Sequence, residues 1–216
     1  MATTTLTKTE SFSDVIRARR SVRTFDPNFK ISKEEMTELL GEAILAPSSS
    51  NLQPWRFLVI DDQPLKEKLL PIAFNQQQVV EASAVIAVLG DLESYKLADT
   101  IYNRAYEAGY MPEATKNSFI ESTVGMYSAL PKDVAMKIVS TDGGLISMQL
   151  MLAAKARGLD TVPMGGYNAA QLVETFGISE RYVPIMLIAV GKATKPGHPS
   201  VRLTVDEVTS WNEMKN

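Results

Sequence analysis

Short hydrophobic runs separated by longer amphipathic stretches predict a mixed fold with few strands and many helices. Trp55–Ile60 and Ala84–Leu89 are predicted strands, because each is a continuous apolar run that is too short for a typical helix. Val183–Val190 is the last strong candidate, and a shorter strand is expected around Thr161–Val162. The pattern therefore predicts a sheet of about four strands.

Helices are predicted from apolar residues spaced three and four positions apart and from capping residues. Ser32 with Glu35 three positions later forms a capping box. Asp142 is expected to cap a long apolar helix that Gly158 ends. Residues 94–130 are also helical in pattern, with an interruption in the middle and many tyrosine and phenylalanine side chains.

The excess of helix over strand favours an α+β fold over a doubly wound parallel sheet. The first predicted strand leads into residues 61–68, which contain no glycine, so the glycine-rich phosphate fingerprint of dinucleotide-binding sheets is missing there. We find no internal repeat and no low-complexity linker. We therefore expect residues 1–216 to form a single domain, in which residues 1–10 are a flexible, threonine-rich tail.

Composition narrows the possible functions. The chain has 216 residues, of which 45% are hydrophobic and 22% charged, and its net charge of −3 argues against a general nucleic-acid binder. It contains no cysteine, which excludes disulfides, thiolate metal sites and cysteine nucleophiles. The single histidine, His198, lies in a predicted loop, so we expect neither a metal site nor a Ser-His-Asp triad.

The sequence also carries no signal for a membrane. The first ten residues lack the apolar core of a secretory signal, and the longest apolar runs are far shorter than a membrane span. We therefore expect a cytoplasmic protein with no membrane partner.

Two segments contain polar groups that the packing of a hydrophobic core does not require. Residues 19–23 place three arginines and one serine close together, a set that can bind a phosphate, although a solvated basic helix end is the alternative. Residues 47–55 place small polar side chains between two prolines. They could form hydrogen bonds to a heterocycle, or they could be an ordinary loop with capping serines.

A third segment, residues 163–167, has adjacent glycines directly after the short predicted strand. Glycine allows the backbone to approach a flat ligand closely and leaves its amide groups free to bind it. A simple turn is the alternative interpretation of this segment.

The three segments together carry a family resemblance. Arg-Arg-Ser-Val-Arg-Thr-Phe at 19–25, followed by Ala-Pro-Ser-Ser-Ser-Asn-Leu-Gln-Pro-Trp at 46–55, closely resembles the opening of the FMN-dependent nitroreductase family. Further matches follow in order at 74–78, 163–167 and 190–192. The similarity extends over residues 13–210.

The resemblance implies a nitroreductase-like fold, with a central, mostly antiparallel sheet flanked by helices, in an intertwined homodimer. It implies an enzyme that binds FMN and transfers two electrons by a ping-pong mechanism from NAD(P)H to a small, flat, oxidised acceptor such as a nitroaromatic or a quinone. The flavin carries the chemistry, so no catalytic side chain is implied. Residues 94–130 would form the helical lid over the acceptor. The alternatives are a dehalogenase or flavin-fragmenting enzyme on the same fold, or a non-catalytic flavin carrier.

The resemblance also implies roles for single residues on the phosphate side. Arg19 and Ser21 would contact the phosphate and ribityl chain, with Arg202 as a second phosphate cation. Ser200 stands where some relatives have a lysine, so Arg20 or Lys192 could replace that charge. On the ring side, the implied contacts are Arg23 beside flavin N1 and O2, Asn75 at the pyrimidine edge, Gln78 where some relatives have lysine, and Pro163, Met164, Gly165 and Gly166 near N5.

The remaining implied contacts are Pro47, Ser48, Ser49 and Asn51. By the resemblance they reach the flavin that is bound mainly by the other subunit. The flavin sites would therefore lie at the subunit interface, and dimerisation would be a condition for a complete site.

Overall fold

A computed structural model describes residues 11–214 of the chain. The predicted tail, residues 1–10, lies outside the described residues. The helices are α1 (Phe12–Ala18), α2 (Lys33–Ala43), α3 (Gln63–Ile72), α4 (Gln78–Glu81), α5 (Ala98–Glu107), α6 (Glu113–Ser128), α7 (Lys132–Ala156), α8 (Ala169–Phe176) and α9 (Val205–Val208). The strands are β1 (Trp55–Ile60), β2 (Ala84–Asp91), β3 (Asp160–Met164) and β4 (Tyr182–Gly191).

The four strands form one antiparallel sheet in the order β1-β2-β4-β3. This confirms the predicted α+β class with a central antiparallel sheet, and each predicted strand is present. Adjacent strands lie about 4.8 Å apart, so the two edge strands, β1 and β3, are separated by roughly 14 Å. The segment that follows β3 is therefore distant from the loop that precedes β1.

Helices cover both faces of the sheet, which explains why every residue of β2 is buried. On one face, Ile146 and Leu150 of α7 pack in a cluster with Ile86 of β2. On the other face, Leu69 of α3 and Leu172 of α8 pack in a cluster with strand residues. The sheet is thus the middle layer between two apolar interfaces.

The prediction for the start of α7 is wrong. Asp142 does not cap this helix; α7 begins at Lys132, directly after Pro131, and Asp142 lies in its interior. Proline is tolerated at a helix N-terminus, so the helix starts there without a polar cap. The carboxylate of Asp142 instead accepts hydrogen bonds from Ser49, which precedes β1. The predicted end is confirmed, since Gly158 follows α7 with a φ of 72°.

Helix α7 is apolar on two sides. Its inner face packs against the sheet, whereas Leu145 and Met148 on its outer face are 44% and 40% exposed. Although α7 has 25 residues, no helix among residues 11–214 is long and apolar enough to cross a membrane. Because Leu145 and Met148 are exposed, the outer apolar face of α7 lacks a partner within the described part of the chain.

The region 94–130 is helical, as predicted, and is broken between α5 and α6. Gly109 has a φ of 75°, a conformation that favours glycine and ends the run of α5. The two helices pack through Tyr102 and Phe119, whose ring centroids are 5.6 Å apart in an edge-to-face arrangement.

A buried ion-pair cluster joins three strands. Asp91 at the end of β2 is fully buried and accepts hydrogen bonds from Arg56 of β1 at 2.8 Å and from Arg181, before β4, at 2.6 and 2.8 Å. The side chains of Arg56 and Arg181 are 33% and 30% exposed, so both keep part of their hydration. The charged form of the buried Asp91 therefore depends on these ion pairs more than the two partly exposed guanidinium groups do.

We expect Asp91→Ala to lower the free energy of unfolding by about 3 kcal/mol, because it leaves two guanidinium groups without their shared partner. Urea unfolding followed by circular dichroism measures this change. Lys96→Ala is the control, since it removes an exposed pair with Glu93 and should leave stability nearly unchanged. Equal losses in the two variants would contradict the assignment.

Candidate functional site

The arginine-rich segment lies beside the edge strand β3. Ser21 forms an isolated parallel bridge with Thr161, and the backbone N–H of Val22 donates to the carbonyl of Thr161 at 3.0 Å. Further on, the N–H of Asp26 donates to the carbonyl of Lys192. Residues 19–23 are therefore held by backbone hydrogen bonds next to the strand that leads into the predicted glycine segment.

The cations of this region divide into two groups. Arg20 donates through Nη1 to the carbonyls of Arg17 and Arg19 at 2.6 and 2.8 Å, and Lys192 donates to the carbonyl of Gly158 at 2.9 Å. In contrast, the guanidinium groups of Arg19 and Arg23 make no ion pair with any residue between 11 and 214. Arg19 and Arg23 are therefore cations with no ion-pair partner among these residues, while Arg20 and Lys192 use part of their N–H donors on backbone carbonyls and keep their charge.

Residues 74–78 meet the glycine segment at the end of β3. The amide of Gln76 donates to the carbonyl of Gly166 at 2.9 Å, and the amide of Gln78 donates to Gln76 Oε1 at 2.9 Å and to Met164 Sδ at 3.4 Å. Gln78 is buried, whereas the neighbouring Asn75 is exposed, with a φ of 57°. These two hydrogen-bonded glutamines therefore fix one wall of the candidate site, and the exposed Asn75 is accessible to a ligand.

The two glycines are not required by the fold itself. Neither Gly165 nor Gly166 has a positive φ. A Cβ atom added at Gly165 would meet no other atom within 4 Å, and one at Gly166 would come no closer than 3.8 Å to Phe74. Open space therefore lies over this backbone, and a flat ligand that approaches it closely gives a reason for glycine.

Burial raises the pKa of Tyr167, the residue after the glycines, above its usual value. Its phenol therefore stays neutral at physiological pH and can donate a hydrogen bond.

The loop that precedes β1, Ser48–Gln53, lies at the opposite edge of the sheet. Three of its residues, Ser50, Asn51 and Gln53, have positive φ values of 49°, 53° and 47°. Non-glycine residues rarely adopt this conformation, and it persists only where surrounding contacts hold it. The loop is thus strained, and Asn51 at its tip is exposed.

Contacts from three helices hold this loop. Ser49 donates through its N–H and its hydroxyl to the carboxylate of Asp142 on α7, at 3.1 to 3.2 Å. The hydroxyl of Tyr102 on α5 donates to the carbonyl of Ser50 at 2.8 Å, and that of Tyr127 on α6 lies 3.1 Å from Ser50 Oγ. Burial raises the pKa of Asp142, and the bonds from Ser49 oppose this rise.

The sequence prediction missed Asp142, Tyr102 and Tyr127 as residues that support the site. They lie far from Ser49 along the chain, and each has an ordinary place on a helix. The crowding of tyrosines in 94–130 was the one available signal, because a buried tyrosine hydroxyl needs a hydrogen-bond partner.

The predicted site residues therefore fall into separate groups. The structure brings together 19–23, 75–78 and 163–166, whereas Pro47, Ser48, Ser49 and Asn51 lie at the other sheet edge. Arg202 is exposed and donates to the carbonyl of Val201 at 2.7 Å. Its segment approaches the first group at Gly197, where an added Cβ would lie 2.5 Å from the Cβ of Arg20.

An open pocket lies next to the loop Ser48–Gln53, between α5 and α6. Its volume is about 340 Å³, within the usual range for small-molecule sites. Its lining residues are Ser50, Tyr102, Phe119, Ser122, Thr123 and Met126. The pocket surface is mainly apolar, with two aromatic side chains and three serine or threonine residues in its lining.

Comparisons with known proteins agree on one family. The model of the nitroreductase family matches residues 16–192. The chain is 51% identical over 206 residues to "Putative NAD(P)H nitroreductase YdgI" of Bacillus subtilis, covering 94% of this chain and 99% of that protein. It is 35% identical over 186 residues to the CLA biosynthesis enone reductase of Lactiplantibacillus plantarum, covering 85% and 86%.

A solved structure gives the same result. The crystal structure of a nitroreductase-type protein in complex with FMN from Exiguobacterium sibiricum superposes with a TM-score of 0.91. The two sequences are 48% identical, and the alignment covers 96% of this chain and 100% of that chain.

Gly165→Ala should change the free energy of unfolding by no more than about 1 kcal/mol, because the added methyl group enters open space. Gly191→Ala is the contrasting variant. Its Cβ would lie 3.0 Å from the backbone nitrogen of Ser83 and 3.1 Å from Phe25, so it should destabilise the fold by about 1–3 kcal/mol. Denaturant unfolding of both variants measures the difference, and a large loss for Gly165→Ala would mean that the fold itself needs this glycine.

Proposed function

Because the chain belongs to the nitroreductase family, we propose that it is an FMN-dependent enzyme that transfers two electrons from NAD(P)H to a small oxidised acceptor by a ping-pong mechanism. This proposal rests on one observation: residues 19–23, 75–78 and 163–166 come together around the exposed backbone of two glycines. Arg19 and Arg23 supply cations that have no partner among residues 11–214, and Gly165 and Gly166 leave room for a flat ring.

The residues present fit FMN. Its phosphate would be held by Arg19, with Ser21 on the ribityl chain and Arg202 as a second cation. Arg20 and Lys192 donate to backbone carbonyls, which positions the segment, and each keeps its charge and further N–H donors, so either could replace the lysine that some relatives have at the position of Ser200. The ring would lie against Pro163–Gly166, with Asn75 at its pyrimidine edge.

FMN, when bound, supplies the two-electron redox chemistry. The chain binds and orients the reactants and stabilises charge. Arg23 provides a fixed cation for the negative charge that develops on reduction. Gln78 is neutral and already bonded to Gln76 and Met164, so it orders the wall of the site without adding charge.

We propose that the complete site needs two subunits. Ser48–Gln53 and the glycine segment lie at opposite sheet edges, roughly 14 Å apart. One ligand cannot easily touch both within one chain, whereas a partner subunit can bring its loop to the glycine segment. Pro47, Ser48, Ser49 and Asn51 would then contact FMN bound by the partner.

Exposed apolar surface supports this dimer. The outer face of α7, with Leu145 and Met148, borders a groove lined by Phe12 of α1 and Leu45 after α2. The C-terminal segment exposes a further set of apolar side chains: Val201, Leu203, Val205, Val208, Trp211 and Met214. Apolar patches of this extent on a soluble domain are typical of protein interfaces.

The acceptor would bind in part between α5 and α6, in the pocket beside Ser50. We therefore propose that residues 94–130 form the lid of the acceptor site. The aromatic lining from Tyr102 and Phe119 favours a flat molecule such as a nitroaromatic or a quinone. An enone is a second candidate acceptor, because one relative is a named enone reductase.

Anaerobic titration of the purified protein tests the reaction. We expect a bound-flavin absorption band that bleaches on addition of NADH or NADPH and returns on addition of a nitroaromatic, a quinone or an enone. Initial rates at several acceptor concentrations should give parallel double-reciprocal lines, because donor and acceptor use the same place in turn. A flavin band that neither nucleotide bleaches would indicate a carrier and contradict the proposal.

Mixed dimers test the shared site. Arg23→Ala impairs the cleft of its own subunit, and Asn51→Gly impairs the loop that reaches the partner. If the site is shared, a dimer of one variant with the other contains one site with no substitution and regains up to half of the wild-type activity per dimer. If each site lies within one chain, every site carries one substitution and activity stays at the level of the parent variants.

A further inference from the structure

We propose that Asp142 is a positioning residue, whose carboxylate holds the loop Ser48–Gln53 in the shape that completes the FMN site of the partner subunit. This inference rests on the shared site proposed above. It assigns a functional role to a buried side chain that lies in the interior of α7 and at the sheet edge away from the glycine segment.

The contact is direct and specific. The backbone N–H of Ser49 lies 3.1 and 3.2 Å from the two carboxylate oxygens of Asp142, and Ser49 Oγ lies 3.1 Å from Oδ1. Asp142 is 2% exposed and forms no ion pair with any residue between 11 and 214. Its partners are therefore the two donors of a single loop residue.

A carboxylate in this position is costly to the fold. Asp142 lines a small, mainly apolar cavity together with Leu52, Leu130 and Val139, and burial without a cation disfavours its charged form. An apolar residue would fill the same space without that penalty. The carboxylate at this position is explained by its hydrogen bonds to the loop, since an ionised group accepts from the N–H and the hydroxyl of Ser49 at once.

The loop needs such a hold because its backbone is strained. Ser50, Asn51 and Gln53 have positive φ values, and Arg56 of β1 donates to the carbonyl of Gln53 at 3.1 Å, which fixes the end of the loop next to the strand. Tyr102 and Tyr127 bind Ser50 from the α5–α6 side, while Asp142 binds Ser49 from α7. Contacts from both sides over-determine the conformation, as expected for a preorganised site.

Hydrogen exchange in the FMN-free protein tests the hold directly. The amides of Ser49, Asn51, Leu52 and Gln53 are hydrogen-bonded in the loop. In Asp142→Asn, which keeps the shape but loses the charge, we expect these amides to exchange about tenfold faster and FMN to bind about tenfold more weakly. Fluorescence titration with FMN measures the second change.

Ser147→Ala is the matched control. Ser147 is equally buried on α7, and its hydroxyl donates to the carbonyl of Gly143 at 2.6 Å and not to the loop. This variant should leave the exchange of the loop amides and the affinity for FMN at wild-type values. If Asp142→Asn fails to fold, Ser49→Ala tests the same contact, with an expected threefold increase in exchange.

Mixed dimers separate positioning from general stability. If Asp142 acts on the partner's site, a dimer of Asp142→Asn with Arg23→Ala subunits contains one site of wild-type FMN affinity. If its substitution only weakens its own subunit, no site has that affinity and the proposal is overturned. Unchanged loop exchange in Asp142→Asn also overturns it. A wild-type protein that binds no FMN contradicts the proposed function instead, and the exchange result still stands.

Discussion

The strand order β1-β2-β4-β3 is the constraint on which the rest of the site depends. It places β1 and β3 at opposite edges, roughly 14 Å apart, and this separation supports our proposal that the loop before β1 serves the glycine segment of a second copy. The loop exposes Asn51, and the glycine segment exposes open backbone that the fold does not require. A shared site explains this arrangement, and the unpartnered apolar face of α7 provides a surface on which two copies could associate.

The two segments that would form the proposed shared site are held in place by different physical means. The glycine segment is held mainly through backbone groups: Ser21 pairs with Thr161, the N–H of Val22 donates to the carbonyl of Thr161, and the side-chain amide of Gln76 donates to the carbonyl of Gly166. The loop is held by side chains that reach it from helices, which supports three left-handed residues at the cost of burying a carboxylate. A binding segment on a loop depends more on the side chains that hold it than a binding segment on a strand does.

Local sequence patterns predicted the strands, the Ser32 capping box and the antiparallel α+β class, because these depend on periodicity and short-range hydrogen bonds. They predicted the wrong role for Asp142, since a capping aspartate and an interior aspartate look alike when the partner lies 93 residues away. They also could not separate Arg20, bound to its own backbone carbonyls, from the unpaired Arg19 and Arg23. A long-range contact decides the case of Asp142, whereas the bonds of Arg20 run to carbonyls within three residues and depend on the local backbone conformation.

The charges left unpaired indicate what the site can hold. A protein with a net charge of −3 has enough carboxylates to pair its arginines, yet Arg19 and Arg23 have none among residues 11–214, while Arg181 and Arg157 each contact two. Unpaired cations beside an open backbone favour a ligand that carries a phosphate and gains negative charge on reduction. Because Gln78 adds no charge, we propose that this stabilisation depends on Arg23, and the reduced ligand should then be held less strongly than in relatives with a lysine at the position of Gln78.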